Sequence, residues 1–182
     1  MNVYHDVIIS GFGGQGILLI GNLLAYAAMS EERHVSYLPA YGVEMRGGTA
    51  NCTVVISSKP IGSPVVGSPR SVIIMNLPSL TKFQERIKPN GLLILNISLV
   101  DPGEVIRKDI ECAPVPVTDI ATQDGNARLA NMVALGAYLE KTPIVQQNSI
   151  ENAFAHVLDG RYHHLIPANL EAMEKGRQFV RK

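Results

Sequence analysis

The sequence predicts an α/β fold with three layers, in which a mostly parallel sheet is flanked by helices. A glycine-rich turn joins a first strand to a long apolar helix pattern. Residues 71–76 and 91–98 are almost continuously apolar, as strands buried on both faces are. A helix pattern separates these two strands, which is the connection that parallel pairing requires. We expect a single domain over residues 1–182.

The first elements form a Rossmann-like βα unit followed by two more strands. Residues 4–10 (YHDVIIS) are rich in β-branched side chains, and the pattern ILLIGNLLAYAAM after the turn predicts a helix. Residues 34–38 and 49–57 predict the second and third strands. The third alternates apolar and polar residues, a pattern typical of antiparallel strands, so an antiparallel pair is possible near it.

Strands and helices alternate until the last third of the chain becomes helical. The remaining elements are expected in the order helix, strand and three helices, over residues 79–87, 111–117, 126–140, 150–158 and 168–181. The helix over 126–140 has apolar residues near one face, so we expect it to be amphipathic. Asn148 or Ser149 is expected to cap the helix that follows.

The composition argues against several classes of function. Sixteen Lys and Arg balance sixteen Asp and Glu, so the chain lacks the broad positive field that nucleic acid or an anionic membrane surface would require. Charged residues make up 18% of the chain and hydrophobic residues 46%, which suggests that part of the surface contacts a partner chain. The sequence has neither a membrane-spanning apolar stretch nor a basic leader, so we expect a cytoplasmic protein.

The histidines and cysteines do not predict a metal site. Cys52 and Cys112 lie far apart and lack the spacing that zinc or an iron–sulfur cluster requires. We expect both to be free thiols. His163 and His164 are adjacent and are not expected to share a metal ion.

The turn at residues 11–16 (GFGGQG) matches the GxGxxG pattern and stands between a predicted strand and a helix. Its candidate ligand-binding residues are Gly11, Gly13, Gly14, Gln15 and Gly16. Free amides at the helix start can hold an anion. A dinucleotide site also expects an acidic residue at the end of the second strand, where this chain reads SYLP. Anion capture, dinucleotide binding and a tight turn without a ligand all remain open.

A second polar segment, residues 39–52 (PAYGVEMRGGTANC), follows the second strand. Loops in this position of an open sheet bind ligands and partners. The candidate interface residues are Tyr41, Glu44, Arg46, Gly47, Gly48 and Asn51. The planar guanidinium of Arg46 suits a carboxylate or phosphate, or an ion pair with Glu44 or with an acid of a partner chain.

These two segments, with SPVV at 63–66, IIMNLPSLTKF at 73–83 and KPNGLLILNISLV at 88–100, resemble the gamma subunit of the 2-oxoacid:ferredoxin oxidoreductases. This family includes the pyruvate, 2-ketoisovalerate and 2-oxoglutarate enzymes. The resemblance implies a subunit of a complex that converts a 2-oxoacid and coenzyme A into acyl-CoA and carbon dioxide and reduces ferredoxin.

The resemblance also implies the division of labour within that complex. Thiamine diphosphate, magnesium and the iron–sulfur clusters belong to alpha, beta and ferredoxin-like delta subunits, and this chain shapes and covers their site. It then supplies no catalytic residue and is inactive when isolated, while the glycine turn becomes a candidate contact for a coenzyme A phosphate. The alternative hypothesis is a stand-alone nucleotide-binding module that regulates another protein.

Overall fold

The computed structural model describes residues 3–41, 49–123 and 125–181. Its strands form one six-stranded sheet in the order β2-β3-β1-β4-β5-β6. The strands are β1 (Tyr4–Phe12), β2 (His34–Tyr41), β3 (Thr49–Ser57), β4 (Ser71–Ile74), β5 (Leu92–Asn96) and β6 (Glu111–Val115). The predicted third strand has the observed bounds, and the other strands were placed within three residues of them.

The sheet is mostly parallel, as predicted. β1, β4, β5 and β6 pair in parallel, whereas β3 is antiparallel to both of its neighbours, β1 and β2. Because β1 and β2 both oppose β3, five of the six strands point the same way. The antiparallel pairing expected near the third strand is therefore confirmed, and it involves both sides of that strand.

The described residues form six α-helices, which lie unequally on the two faces of the sheet. They are α1 (Ile17–Ser30), α2 (Leu77–Phe83), α3 (Val117–Gln123), α4 (Ala130–Lys141), α5 (Gln147–Val157) and α6 (Ile166–Arg181). Ile9 and Ile73 pack with residues of α1 and α3 to α6 in one core cluster, whereas Ile8 and Val72 pack with α2 in a smaller one. The three-layer α/β prediction is confirmed.

α4 differs from its prediction because it is buried nearly all round. Every residue from Ala130 to Leu139 is buried, whereas the sequence predicted one apolar and one polar face. α6 packs closely against α4: a β-carbon on Gly136 would collide with the carbonyl of Met173, and one on Gly176 with the carbonyl of Val133. A helix buried on all sides lies inside the core and needs no polar face.

Three further details depart from the sequence prediction. α3 is an additional element, because the sequence predicts a strand over 111–117 and no helix before residue 126. α2 begins at Leu77 because the Asn76 side chain caps it, with Oδ1 accepting from Ser79 N at 2.9 Å. α5 begins after Gln146 without a side-chain cap, so the expected cap at Asn148 or Ser149 is wrong.

Over the part of the chain that the structure describes, no helix combines the length and apolar character needed to span a bilayer.

Candidate functional site

The ends of the parallel strands meet at one edge of the sheet, which we call the carboxyl edge. β1 is followed by α1 on one face of the sheet, and the adjacent β4 is followed by α2 on the opposite face. The connections after these two strands therefore leave the sheet in opposite directions and open a crevice between them. Open α/β sheets bind ligands in the crevice at such a point. Phe12 pairs with Thr49 and Tyr41 with Ala50, so the second polar segment starts and ends beside the glycine turn.

The glycine turn is closed by its own glutamine. Gln15 Oε1 accepts a hydrogen bond from Phe12 N at 2.6 Å, and Gln15 N donates to Phe12 O at 3.1 Å. A β-carbon on Gly11 would lie 2.9 Å from Met75 Cβ, which is closer than such atoms approach. The carboxamide oxygen of Gln15 therefore holds the turn, and Gly11 allows β1 to pass close to the residue that follows β4.

The start of α1 carries free amide groups beside this turn. Gly16 has a φ of 72° and precedes a helix that has no side-chain cap. The first amides of a helix have no intrahelical acceptor and carry partial positive charge. Asn131 of α4 donates from Nδ2 to the Gly16 carbonyl at 3.3 Å, so a buried side chain fixes the helix start.

A cleft of about 230 Å³ opens at this point, and we call it the turn cleft. Its polar lining includes Gly14, Gln15, Thr118 and Arg128. Among its described lining residues only Arg128 is charged, and the guanidinium forms no ion pair within the described chain. A β-carbon on Gly14 would have no atom within 4 Å. The cleft thus offers an exposed cation opposite an open backbone, which suits an anionic group.

Arg128 was missed by sequence reasoning. It lies in a short 3-10 helix, Ala127–Leu129, which precedes α4 and was predicted as part of one continuous helix. The local signal is Asn126, whose Oδ1 accepts from Arg128 N at 3.2 Å and starts this turn. Asparagine favours such side-chain to backbone bonds outside helix interiors, so it indicated a break in the helix pattern.

An apolar groove of about 400 Å³ adjoins the turn cleft. Leu19, Leu129, Leu158 and Leu165 line it, and Arg128 is shared by the cleft and the groove. The two together give a charged end and an apolar end. This combination suits an elongated ligand with a phosphate at one end and a less polar arm at the other.

The second polar segment is described only at its two ends. Asn51 lies in β3, half-buried, opposite Ser10 of β1 and Ala40 of β2. The backbone of Tyr41 ends β2. Glu44, Arg46, Gly47 and Gly48 lie outside the described residues, so their roles stay predictions.

The sheet order bears on the dinucleotide interpretation. A dinucleotide-binding sheet places its second strand beside the first, where an acid at the strand end reaches the ribose. Here the antiparallel β3 separates β1 from β2, and β2 ends in Ala40 and Tyr41. The strand that would carry the ribose contact is therefore displaced by one position and has no carboxylate at its end.

The cysteines have the properties of structural thiols: Cys52 is buried and Cys112 is half-buried. Burial raises the pKa of Cys52 to about 12, and burial also raises the pKa of Cys112. They lie on β3 and β6, and three strands of the sheet stand between these two. Within the described ranges, no group of three or more His, Cys, Asp or Glu side chains is placed to hold a metal ion.

Comparison with known proteins gives a consistent result over nearly the whole chain. The family model described as pyruvate ferredoxin/flavodoxin oxidoreductase matches residues 6–179. The ketoisovalerate oxidoreductase subunit VorA of Methanothermobacter marburgensis is 37% identical over 97% of this chain and 36% of its own length. The chain thus spans about a third of that relative.

Two other proteins match over nearly their whole length. The 2-oxoglutarate synthase subunit KorC of Methanocaldococcus jannaschii is 32% identical over 97% of this chain and 94% of its own. The solved gamma subunit of a keto/oxoacid ferredoxin oxidoreductase from Geobacter sulfurreducens superimposes with a TM-score of 0.81, at 25% identity over 97% of this chain and 98% of that one. By sequence and by fold, the chain belongs to the pyruvate ferredoxin/flavodoxin oxidoreductase family.

Proposed function

We propose that this chain is the gamma subunit of a 2-oxoacid:ferredoxin oxidoreductase. The observation that carries the proposal is its similarity, over almost the full length of both proteins, to a 2-oxoglutarate synthase subunit and to a solved gamma subunit. The complex converts a 2-oxoacid and coenzyme A into acyl-CoA and carbon dioxide and passes two electrons to ferredoxin. Ketoisovalerate and 2-oxoglutarate are the substrates that the names of the relatives suggest.

The turn cleft binds the phosphates of coenzyme A. The guanidinium of Arg128 pairs with phosphate oxygens through charge-assisted hydrogen bonds, and the free amides at the start of α1 add partial positive charge. Gly14 leaves the backbone open to close approach. The apolar groove next to Arg128 accommodates the less polar arm of the molecule. When bound, coenzyme A supplies the thiol that accepts the acyl group.

Thiamine diphosphate, magnesium and the iron–sulfur clusters reside in the alpha, beta and delta partners. A four-cysteine cluster cannot form from the two cysteines of this chain, and both thiols have raised pKa values. The gamma subunit therefore positions coenzyme A and excludes water, while the chemistry of decarboxylation occurs on cofactors that the partners hold.

The second polar segment contacts the partner subunits. The residues expected to make this contact are Tyr41, Glu44, Arg46, Gly47, Gly48 and Asn51. Alanine at either charged position should change the free energy of unfolding of the isolated chain by less than about 0.5 kcal/mol. Assembly should weaken by ~2–5 kcal/mol, because a buried partner charge is left unpaired.

The test of the proposal is reconstitution. The chain is co-expressed with the candidate alpha, beta and delta chains and purified through a tag on the gamma chain. The expected result is a stable complex that reduces a viologen dye only when a 2-oxoacid and coenzyme A are both present, while the isolated chain is inactive. A complex that is equally active without this chain, or a chain that never joins the partners, would rule the proposal out.

A further inference from the structure

The opposite edge of the sheet, where the parallel strands begin, contains a second polar pocket. We call it the amino-edge pocket; its volume is about 280 Å³. The side chains that matter are Arg70, Lys88 and Lys141, which are cationic, and His5, Ser71 and Glu111. It lies at the other end of the strands from the turn cleft and shares no lining residue with it.

The pocket has an excess of positive charge. Glu111 is its single lining carboxylate, and that group pairs with Lys141, with Nζ and Oε1 3.1 Å apart. Arg70 and Lys88 have no ion pair with any described residue. The neighbouring carboxylate Asp6 is buried and accepts from the Arg70 backbone amide at 2.6 Å. Arg70, whose guanidinium also lies 5.7 Å from the centre of the Tyr4 ring, thus lines one opening together with two lysines and a single carboxylate, so an anion is attracted there.

A hydroxyl group stands at the inner wall of this pocket. His5 Nε2 and Ser71 Oγ are 3.0 Å apart, and Ser71 is buried. Burial lowers the pKa of His5 to about 4, so the ring is neutral at physiological pH. With a proton on Nε2, the ring donates to Ser71, whose own hydroxyl hydrogen can then be donated either to the neighbouring Tyr138 hydroxyl or to a ligand oxygen.

The backbone around the pocket is fixed by hydrogen bonds between successive strands. Leu92 N donates to Arg70 O at 2.9 Å, and Glu111 N donates to Gly91 O at 2.8 Å. A β-carbon on Gly91 would lie 2.8 Å from both Arg70 O and Lys88 O, so the chain passes too closely here for a side chain. The backbone positions from which Arg70 and Lys88 project are therefore fixed before any ligand arrives, so binding orders these side chains without ordering the backbone.

We propose that the amino-edge pocket binds a phosphate group, either as free inorganic phosphate or as a phosphate monoester. Lys88 and Arg70 pair with its charged oxygens, and Ser71 donates to a third. The site is independent of the coenzyme A contact proposed above, because it is built from other residues at the other edge of the sheet. It gives the chain a means of responding to a phosphorylated metabolite without that metabolite entering the turn cleft.

The test is a titration of the full-length isotope-labelled chain with inorganic phosphate and, separately, with glycerol phosphate, followed by amide NMR. Chloride at matched ionic strength controls for general screening. We expect the amide signals of Asn90, Gly91 and Glu111 to move with saturation, while chloride leaves them in place. Tighter binding of glycerol phosphate would identify an ester as the natural form, and equal binding would identify free phosphate; either result supports the site.

Three variants decide whether the pocket is responsible. Lys88→Gln and Arg70→Gln should each weaken phosphate binding about tenfold or more, since each removes a charge-assisted hydrogen bond. Lys82→Gln removes the same charge from the exposed end of α2 and should leave the affinity within about twofold. Absence of shifts at millimolar phosphate, shifts confined to Gly14 and Gln15, or equal effects of Lys88→Gln and Lys82→Gln would each overturn the proposal.

Discussion

Glycine serves opposite purposes in two regions of this molecule. In the contact between α4 and α6, Gly136 and Gly176 let two helix backbones touch, and neither position has room for a β-carbon. At Gly14 in the turn after β1, a β-carbon would meet nothing within 4 Å. The first region is closed and holds the fold together, whereas the second is open and leaves a surface for a ligand. Glycine content alone therefore does not indicate function; the space around each glycine does.

The largest expected effect is in the closed region. Gly136→Ala forces α4 away from the Met173 carbonyl, and we expect it to lower the free energy of unfolding by about 3 kcal/mol in urea denaturation. The loss exceeds the gain of ~1 kcal/mol in helix propensity. Gly160→Ala is the matched control, because its β-carbon would meet nothing, and it should change stability by less than about 0.5 kcal/mol. Equal stability of both variants would show that α4 and α6 can move apart at this contact without loss of unfolding free energy.

The closed region also shows which features of the fold the sequence did not predict. The apolar pattern of residues 126–140 predicted a helix correctly, but the number of its buried faces depended on α6, which packs from about forty residues away. Similarly, the pattern predicts Arg128 as part of that helix, whereas in the structure the Asn126 side chain starts a separate 3-10 turn there. Local pattern therefore indicated the helical segments other than α3, whereas tertiary packing determined which side chains reach the turn cleft.

Where the pattern was strictly local, prediction and structure agree. Alternation of polar and apolar residues defined β3 as Thr49–Ser57, and the glycine turn was placed correctly between β1 and α1. The amino-edge pocket was not predicted, because it depends on bringing His5, Ser71 and Lys88 together from three segments. Such contacts depend on which strands pair and in which register, and a local sequence pattern does not determine that pairing.

The second prediction concerns the boundary between the closed and open regions, at Gly16. Its φ of 72° disfavours any side chain, and a β-carbon would collide with Asn131. We expect Gly16→Ala to cost about 2 kcal/mol in unfolding free energy, from left-handed strain and from this collision.

A double-mutant cycle separates the two causes. With Asn131→Ala present, the cost of Gly16→Ala should fall by about 1 kcal/mol, because only the backbone strain is left. An unchanged cost would mean that Asn131 does not crowd this position, and the turn would then be open at Gly16 as it is at Gly14.

A third prediction tests the open region directly, through coenzyme A. In the reconstituted complex, Arg128→Gln should raise the KM for coenzyme A about tenfold and leave kcat within about twofold, because the lost contact binds substrate and transition state alike. The thermal midpoint of the isolated variant should match wild type. Lys82→Gln should leave the KM unchanged. A fall in kcat with a constant KM would place Arg128 outside the coenzyme A contact.

The smallest expected effect is a pH dependence at the far end of the closed region. His5 lies 6.2 Å, between ring centres, from the fully buried Tyr138 of α4, and burial lowers its folded-state pKa to about 4, from 6.5 as its ordinary value. The unfolded chain therefore binds more protons between these two pH values, so stability falls as the pH drops below about 6.5. At pH 6 this amounts to about 1 kcal/mol relative to pH 8.

The measurement is urea denaturation of wild type and His5→Gln from pH 8 to pH 5 in phosphate-free buffer, so that an anion in the amino-edge pocket does not stabilise the protonated ring. The unfolding free energy of wild type, relative to that of His5→Gln, should fall steadily as the pH drops below 6.5. His164→Gln, at an exposed histidine, should keep the pH dependence of wild type. If the unfolding free energies of His5→Gln and wild type instead change with pH in parallel, His5 becomes protonated without disturbing the fold. Water would then reach this end of α4 as freely as it reaches the glycine turn.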